Sequence, residues 1–134
     1  MVLDSSALVA IFLREPEREW FLDLILRSHA RISAVSLVET GIVLEARRGP
    51  SAVHEIDRFL ERASVEIVAV DAQHAALALT AWRKYGKGRH PAGLNLGDCF
   101  SYALSRSCGE PLLAKGDDFA RTDLELCPQS PPAP

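Results

Sequence analysis

The sequence predicts an α/β protein, a three-layer α/β/α sandwich with a central parallel sheet. Short apolar, often β-branched runs alternate along the chain with longer segments whose apolar residues recur at helical spacing. Strands that alternate with helices favour a parallel sheet covered on both faces. The length of 134 residues and the apolar content of 48% are those of one globular domain. We therefore expect one domain over residues 1–127 and a proline-rich, flexible tail over residues 128–134.

The first half of the chain predicts two strands and four helices, because each apolar segment has recognisable end signals. Serines precede two of the helical segments as N-caps, Pro16 suits the first turn of another, and Gly49-Pro50 ends the third. The expected elements are a strand at Val2-Leu3, a helix from Ser5, a helix from Glu17 to about Ser28, a strand from Arg31 to Val35, a helix from Ser36 to about Arg47, and a helix from Ser51.

The second half predicts two further helices separated by a loop. Residues 65–70 are the clearest strand, and Asp71 caps the alanine-rich helix that follows, to about Tyr85. Residues 86–93 are rich in glycine and basic side chains, which is typical of a loop. The expected elements after it are a helix from Asn95 to about Ser107, a strand from Pro111 to Ala114, and a last edge strand at residues 124–126.

Composition narrows the class of protein. The net charge is -3 and the pI about 5.8, which is not typical of a nucleic-acid binder, although bound cations reverse the local charge wherever carboxylates cluster. The odd number of cysteines and their spacing favour reduced, buried thiols over disulfides or zinc. No apolar run reaches the roughly 18 residues of a membrane span, and no secretion signal is recognisable. We expect a cytoplasmic protein with no membrane partner.

Acidic residues fall where predicted strands end and helices begin. Asp4 follows the first strand, Glu39 and Asp98 lie in the first turns of two predicted helices, and Asp117-Asp118 follows the fourth strand. Open parallel sheets bind ligands beyond the carboxyl ends of their strands, so we expect these acids to meet at one edge. Clustered carboxylates usually share protons or cations, and an all-oxygen set suits Mg²⁺ or Mn²⁺ rather than zinc.

Each acid also has a plainer interpretation. Asp4 could be a helix cap, Glu39 and Asp98 first-turn acids favoured by the helix dipole, and Asp117 or Asp118 a turn residue. For any single acid this structural interpretation is the better one. For Asp4, Glu39 and Asp98 together the functional interpretation is better. Glu39 and Asp98 are flanked in the sequence by apolar residues, and acids in such surroundings are not typical surface charges.

Four segments, in order, resemble motifs of PIN-domain proteins, and in particular of the VapC-type toxins. Residues 2–8, Val-Leu-Asp-Ser-Ser-Ala-Leu, are similar to the opening motif, and Ser36-Leu37-Val38-Glu39 to the second. Residues 93–103, around Asp98, resemble the third, and residues 112–119 the closing element, in which an acid precedes a phenylalanine. The first motif alone is weak, but four in order over nearly the whole chain are strong.

This resemblance implies a magnesium-dependent endoribonuclease that acts as the toxin of a toxin–antitoxin pair. It also implies a homodimer and a small antitoxin that inserts a segment into the acidic groove. Asp4 and Asp98 would be the principal metal ligands, and Glu39 would complete the site directly or through water. Ser6 fits the hydroxyl position of the opening motif, where it would bond a carboxylate or a water, and a plain capping role explains it equally well.

The fourth acid departs from the family pattern. Family members often have an acid three residues before the phenylalanine, where this chain has Gly116. Asp118, directly before Phe119, is therefore the first choice, with Asp117 next and Asp123 an outside candidate.

Basic residues cluster just before the third motif. Lys87 and Arg89 lie in a glycine-containing loop that could follow a flexible strand, which favours contact with an RNA backbone. For Lys84, in the preceding helix end, RNA binding and a favourable position at the helix C-terminus explain the charge equally well.

Two other functions fit parts of the pattern. A haloacid-dehalogenase-type phosphatase also has an aspartate after its first strand, but needs a second one two residues later, where this chain has Ser6. A non-catalytic PIN-like module that binds RNA or protein is the remaining alternative, although the loss of Asp4, Glu39 or Asp98 would have marked it.

Overall fold

The computed structural model describes residues 1–134 and contains four parallel strands and six α-helices. None of the helices is long and apolar enough to span a lipid bilayer. In chain order the elements are β1 (Val2–Leu3), α1 (Ser5–Phe12), α2 (Arg18–Leu26), β2 (Arg31–Ser33), α3 (Ala34–Arg48), α4 (Ser51–Arg62), β3 (Glu66–Val68), α5 (Ala72–Tyr85), α6 (Leu96–Cys108), β4 (Leu112–Leu113) and a 3₁₀ turn (Phe119–Arg121).

The strand order is β3-β2-β1-β4, and every pairing is parallel. Successive side chains of a strand point to opposite faces, so the two short central strands serve two cores. Leu3 and Leu113 face a core built with α1 to α4, whereas Val2 and Leu112 face a second core built with α5 and α6. The predicted three-layer α/β/α sandwich with a parallel sheet is confirmed.

The helix after β2 begins earlier than predicted. Ser33, not Ser36, is the N-cap, and its hydroxyl accepts from the N–H of Val35 at 3.3 Å. Both serines are acceptable caps by sequence, but Ser36 is fully buried inside α3. Because α3 starts at Ala34, Glu39 lies in its second turn and not, as predicted, in the first.

Four predicted strands are also shorter or missing: β2 ends at Ser33 and not at Val35, and β4 covers only Leu112–Leu113 of the predicted residues 111–114. β3 ends at Val68, because its partner β2 ends at Ser33, directly before α3, and leaves no backbone for residues 69–70 to pair with. Residues 124–126 form only one isolated bridge, between Leu126 and Leu112. The predicted last edge strand is therefore wrong.

The first residues of the tail contact the domain. The Pro128 carbonyl accepts from the indole N–H of Trp20 at 2.8 Å, and the Gln129 side chain bonds both backbone groups of Gly116. No helix or strand forms over residues 128–134. Flexibility of the tail stays a prediction for the residues beyond Gln129.

Candidate metal centre

Asp4 lies at the carboxyl end of β1 and caps α1. Its Oδ2 accepts from the N–H of Ser6 at 3.0 Å, and its Oδ1 accepts from the Ser101 hydroxyl at 2.6 Å. Only 2% of the residue is exposed. The predicted capping role is therefore real, but the buried hydroxyl from α6 shows that Asp4 is also fixed by a distant part of the chain.

Asp98 lies in the first turn of α6, in a capping box with Asn95. The Asp98 carboxylate accepts from the N–H of Asn95 at 3.1 Å, and the Asn95 side chain accepts from the N–H of Asp98 at 2.9 Å. Burial, and then the charges of Asp4, Glu39 and Asp118, raise the pKa of Asp98 to about 7. These negative groups therefore act on one another at one pole of the sheet.

Glu39 reaches the same pole from α3. Its carboxylate accepts a hydrogen bond from the hydroxyl of Ser5, the residue after Asp4. It also lies against Gly97, the residue before Asp98, so closely that a Cβ there would clash with the Glu39 carboxylate. Glu39 thus contacts the sequence neighbours of both aspartates, Ser5 beside Asp4 and Gly97 beside Asp98. These contacts bring the three predicted ligands, from the end of β1, from α3 and from α6, to the same pole.

The remaining predicted acids differ in their surroundings. The charge of Asp118 contributes to the raised pKa of Asp98, whereas Asp117 is not among its causes. The choice of Asp118 as the fourth acid, with Asp117 next, stays a prediction. Asp123 accepts from the Tyr102 hydroxyl at 2.8 Å and approaches Arg106, one and two turns along α6 from Asp98, so it is occupied elsewhere.

The hydroxyl groups near the acids differ from those expected. The sequence pointed to the Ser6 hydroxyl, but this group does not bond a carboxylate. Ser6 Oγ accepts from the N–H of Lys115 at 3.0 Å and thereby joins α1 to the turn after β4. The hydroxyls that bond carboxylates belong instead to Ser5 and Ser101. Ser101 lies one helical turn after Asp98, and that spacing was the only signal available in the sequence.

The donor set fits a hard divalent cation in chemistry, although the side chains are not already arranged around one. No three acidic, histidine or cysteine side chains form a ready-made ligand set. Asp4, Glu39 and Asp98 each accept hydrogen bonds from the protein. Burial raises the pKa of Asp98, and the charges of Asp4, Glu39 and Asp118 raise it further, so a bound cation would relieve their repulsion. Carboxylate and hydroxyl oxygens there suit Mg²⁺ or Mn²⁺.

The predicted RNA-binding residues lie on an exposed surface at the end of α5 and in the following loop. Lys84, Lys87 and Arg89 are exposed, and the salt bridges of the chain involve none of them. The Arg89 guanidinium lies 4.5 Å from the centre of the Trp82 ring, which orients it by a cation–π contact. Lys87 lines an apolar cleft that also includes Asn95, the capping partner of Asp98.

Curated relatives match nearly the whole chain. The chain is 51% identical over 125 residues to ribonuclease VapC30 of Mycobacterium tuberculosis, with 92% of this chain and 95% of the relative covered. It is 52% identical over 125 residues to ribonuclease VapC of Mycolicibacterium smegmatis, with 92% of this chain and 97% of the relative covered.

Solved structures of lower identity share the fold. Mycobacterium tuberculosis VapC20, described as a sarcin-ricin loop cleaving toxin, superposes with a TM-score of 0.74 at 20% identity and covers 92% of this chain and 95% of its own. VapBC2 from Rickettsia felis, bound to a DNA fragment from its promoter, gives 0.72 at 16% identity, with 93% and 94% covered. The PIN domain family matches residues 1–125. On this match, and on relatives that share half of its residues, the chain belongs to the PIN domain family.

Proposed function

We propose that this protein is a divalent-metal-dependent endoribonuclease and the toxin of a toxin–antitoxin pair. The observation that carries the proposal is the meeting of Asp4, Glu39 and Asp98 at one pole, where burial and then the neighbouring carboxylates raise the pKa of Asp98 to about 7. The relatives named ribonucleases, at about half identity over nearly the full chain, support RNA as the substrate.

Asp4 and Asp98 would hold the cation, with Glu39 and Asp118 completing the site and Asp117 as the less favoured fourth acid. Mg²⁺ is the proposed ion, and Mn²⁺ suits the same oxygens. When bound, the ion supplies an activated water and stabilises the charge that develops on the phosphate. The residues of the chain set the positions of the ligands: Ser6 N–H and Ser101 orient Asp4, and Asn95 orients Asp98.

Lys84, Lys87 and Arg89 would bind the RNA backbone. Cations without a carboxylate partner remain available to phosphates, and the loop bearing Lys87 and Arg89 leads directly to the helix that bears Asp98. A substrate strand on this surface would reach the acids. The proposed place of action is the cytoplasm, where RNA would be available as a substrate.

The proposed protein partners are a cognate antitoxin and a second copy of the chain. The negative pole provides charge complementarity for a cationic antitoxin segment, and related folds include a toxin–antitoxin complex from Klebsiella pneumoniae. Two apolar grooves that share Leu96 present exposed side chains, among them Val38, Ile42 and Leu79. An apolar surface of this kind is typical of an interface, and it supports a homodimer.

Cleavage of total RNA tests this proposal. We expect fragments to form with Mg²⁺ and not with EDTA. Asp98→Asn should lower the rate by at least about 100-fold, since loss of a direct ligand should exceed the roughly 10–100-fold effect of outer partners. Asp118→Asn should also lower it, whereas Asp117→Asn serves as the matched control and should keep activity. Metal-independent cleavage, or full activity in Asp98→Asn, would contradict the proposed metal site, whereas no cleavage by the unaltered protein with Mg²⁺ would favour a non-catalytic module.

A further inference from the structure

Beneath Asp4 lie two hydroxyls that are completely shielded from solvent. Ser101 on α6 donates to Asp4 Oδ1 at 2.6 Å, and Ser36 on α3 lies 3.0 Å from Ser101, oxygen to oxygen. Both serines are 0% exposed. A buried polar side chain costs free energy unless it is hydrogen-bonded, so each of the two needs the other or Asp4 as a partner.

The direction of these hydrogen bonds follows from counting protons. A hydroxyl has one proton, and Ser101 gives its proton to the Asp4 carboxylate. Ser36 must therefore be the donor to Ser101, which makes the chain of bonds run from Ser36 through Ser101 to Asp4. Thr40 does not compete, because its hydroxyl donates to the backbone carbonyl of Ser36 and not to the side chain.

These two linked hydroxyls fix Asp4 Oδ1, while the Ser6 N–H fixes Asp4 Oδ2 at 3.0 Å. Ser101 also lies three residues after Asp98 on α6, so the two share a helix face. One helix thus brings to Asp4 both a second carboxylate and a neutral donor that offsets part of their repulsion.

We propose that Ser101, supported by Ser36, is a positioning residue that orients the Asp4 carboxylate to share a divalent cation with Asp98. This inference rests on the metal site of the proposed function. It assigns roles to two residues that the sequence motifs do not mark as ligands. Donors in the outer shell of a metal site commonly affect metal affinity by about 10–100-fold.

The test is Mn²⁺ binding by the full chain, followed by the loss of the electron paramagnetic resonance signal of free Mn²⁺. Ser101→Ala should raise the Kd for Mn²⁺ by about tenfold. Ser36→Ala should raise it by less, because the bond from Ser101 to Asp4 remains. Ser105→Ala is the matched control: Ser105 is buried on the same helix, but donates to the Glu110 carbonyl at 2.6 Å. It should leave the Kd unchanged, even if it lowers thermal stability.

A Kd for Ser101→Ala within twofold of that of Ser105→Ala would overturn the inference while leaving the metal site intact. Should Ser101→Ala fail to fold in a thermal melt, Ser36→Ala decides by the same comparison. If the unaltered protein bound no Mn²⁺ at millimolar concentration, the proposed metal site itself would fall, and the role of Ser101 with it.

Discussion

The pKa of Asp98 shows how strongly the surroundings of one residue affect its ionisation. Its pKa in the folded protein is about 7, against an ordinary value of 3.8, because burial and then the charge of Asp4 disfavour the ionised form. The folded protein therefore binds this proton more tightly than the unfolded chain does. It follows that the free energy of unfolding falls as pH rises from about 4 to about 7, and stays lower above that range.

We accordingly expect Asp98→Asn to stabilise the protein in EDTA at pH 8 by roughly 2–4 kcal/mol, and to change its stability little at pH 4. Thermal or urea unfolding across this pH range measures the effect. Asp117→Asn removes an exposed charge from the turn after β4 and should not alter the pH dependence. Equal stabilities of Asp98→Asn and the unaltered protein at pH 8 would contradict the raised pKa of Asp98 and the burial and charge repulsion that cause it.

Carboxylates were easier to identify from the sequence than the groups that orient them. Asp4, Glu39 and Asp98 stand out because they follow strands or begin helices amid apolar residues. Ser5 and Ser101 do not, since serine is common at helix starts and inside small cores, and only the packing of α6 against β1 and α3 brings Ser101 to Asp4 and Ser36. The partner of Ser6, the N–H of Lys115, also depends on a contact distant in sequence.

Among the secondary-structure elements, capping residues and glycines predicted several helix boundaries correctly, whereas the ends of the strands were predicted poorly. Asp71, Gly49 and Gly109 mark real helix boundaries, with Gly109 in the left-handed region at φ 65°. Strand lengths depend on partners that the sequence does not display. Residues 69–70 have strand-like side chains but extend beyond the end of β2, and residues 124–126 pair at one point before the chain turns towards Trp20.

The loop between α5 and α6 yields a prediction about RNA binding. Replacing Lys87 and Arg89 together with alanine should weaken binding to single-stranded RNA and flatten the dependence of log K on log salt by about 1.4, at roughly 0.7 per phosphate contact. Fluorescence anisotropy at several salt concentrations measures the slope. Arg58→Ala with Arg62→Ala makes the same change of charge on α4, in the opposite helical layer, and should leave it unaltered. An unchanged slope in the first variant would remove the loop from the interface.

At the scale of the whole molecule, the site depends on elements distant along the chain. β1, α3, α6 and the turn after β4 each contribute one acid, and the parallel order β3-β2-β1-β4 brings the carboxyl ends of the strands to one pole. The sequence could predict this convergence because the rule for parallel sheets requires only the order of strands and helices. It could not predict the rotamers, and therefore not the arrangement of the carboxylates around one ion, because the hydroxyls that orient Asp4 and Glu39 come from distant parts of the chain.

Diffraction from crystals soaked in MnCl₂, recorded to give anomalous signal from manganese, tests this arrangement most directly. We expect one strong peak within coordination distance of carboxylate oxygens of both Asp4 and Asp98, with the Glu39 side chain turned towards it. A peak that touches neither aspartate, or no peak at this pole at millimolar Mn²⁺, would contradict the claim that these acids share a cation.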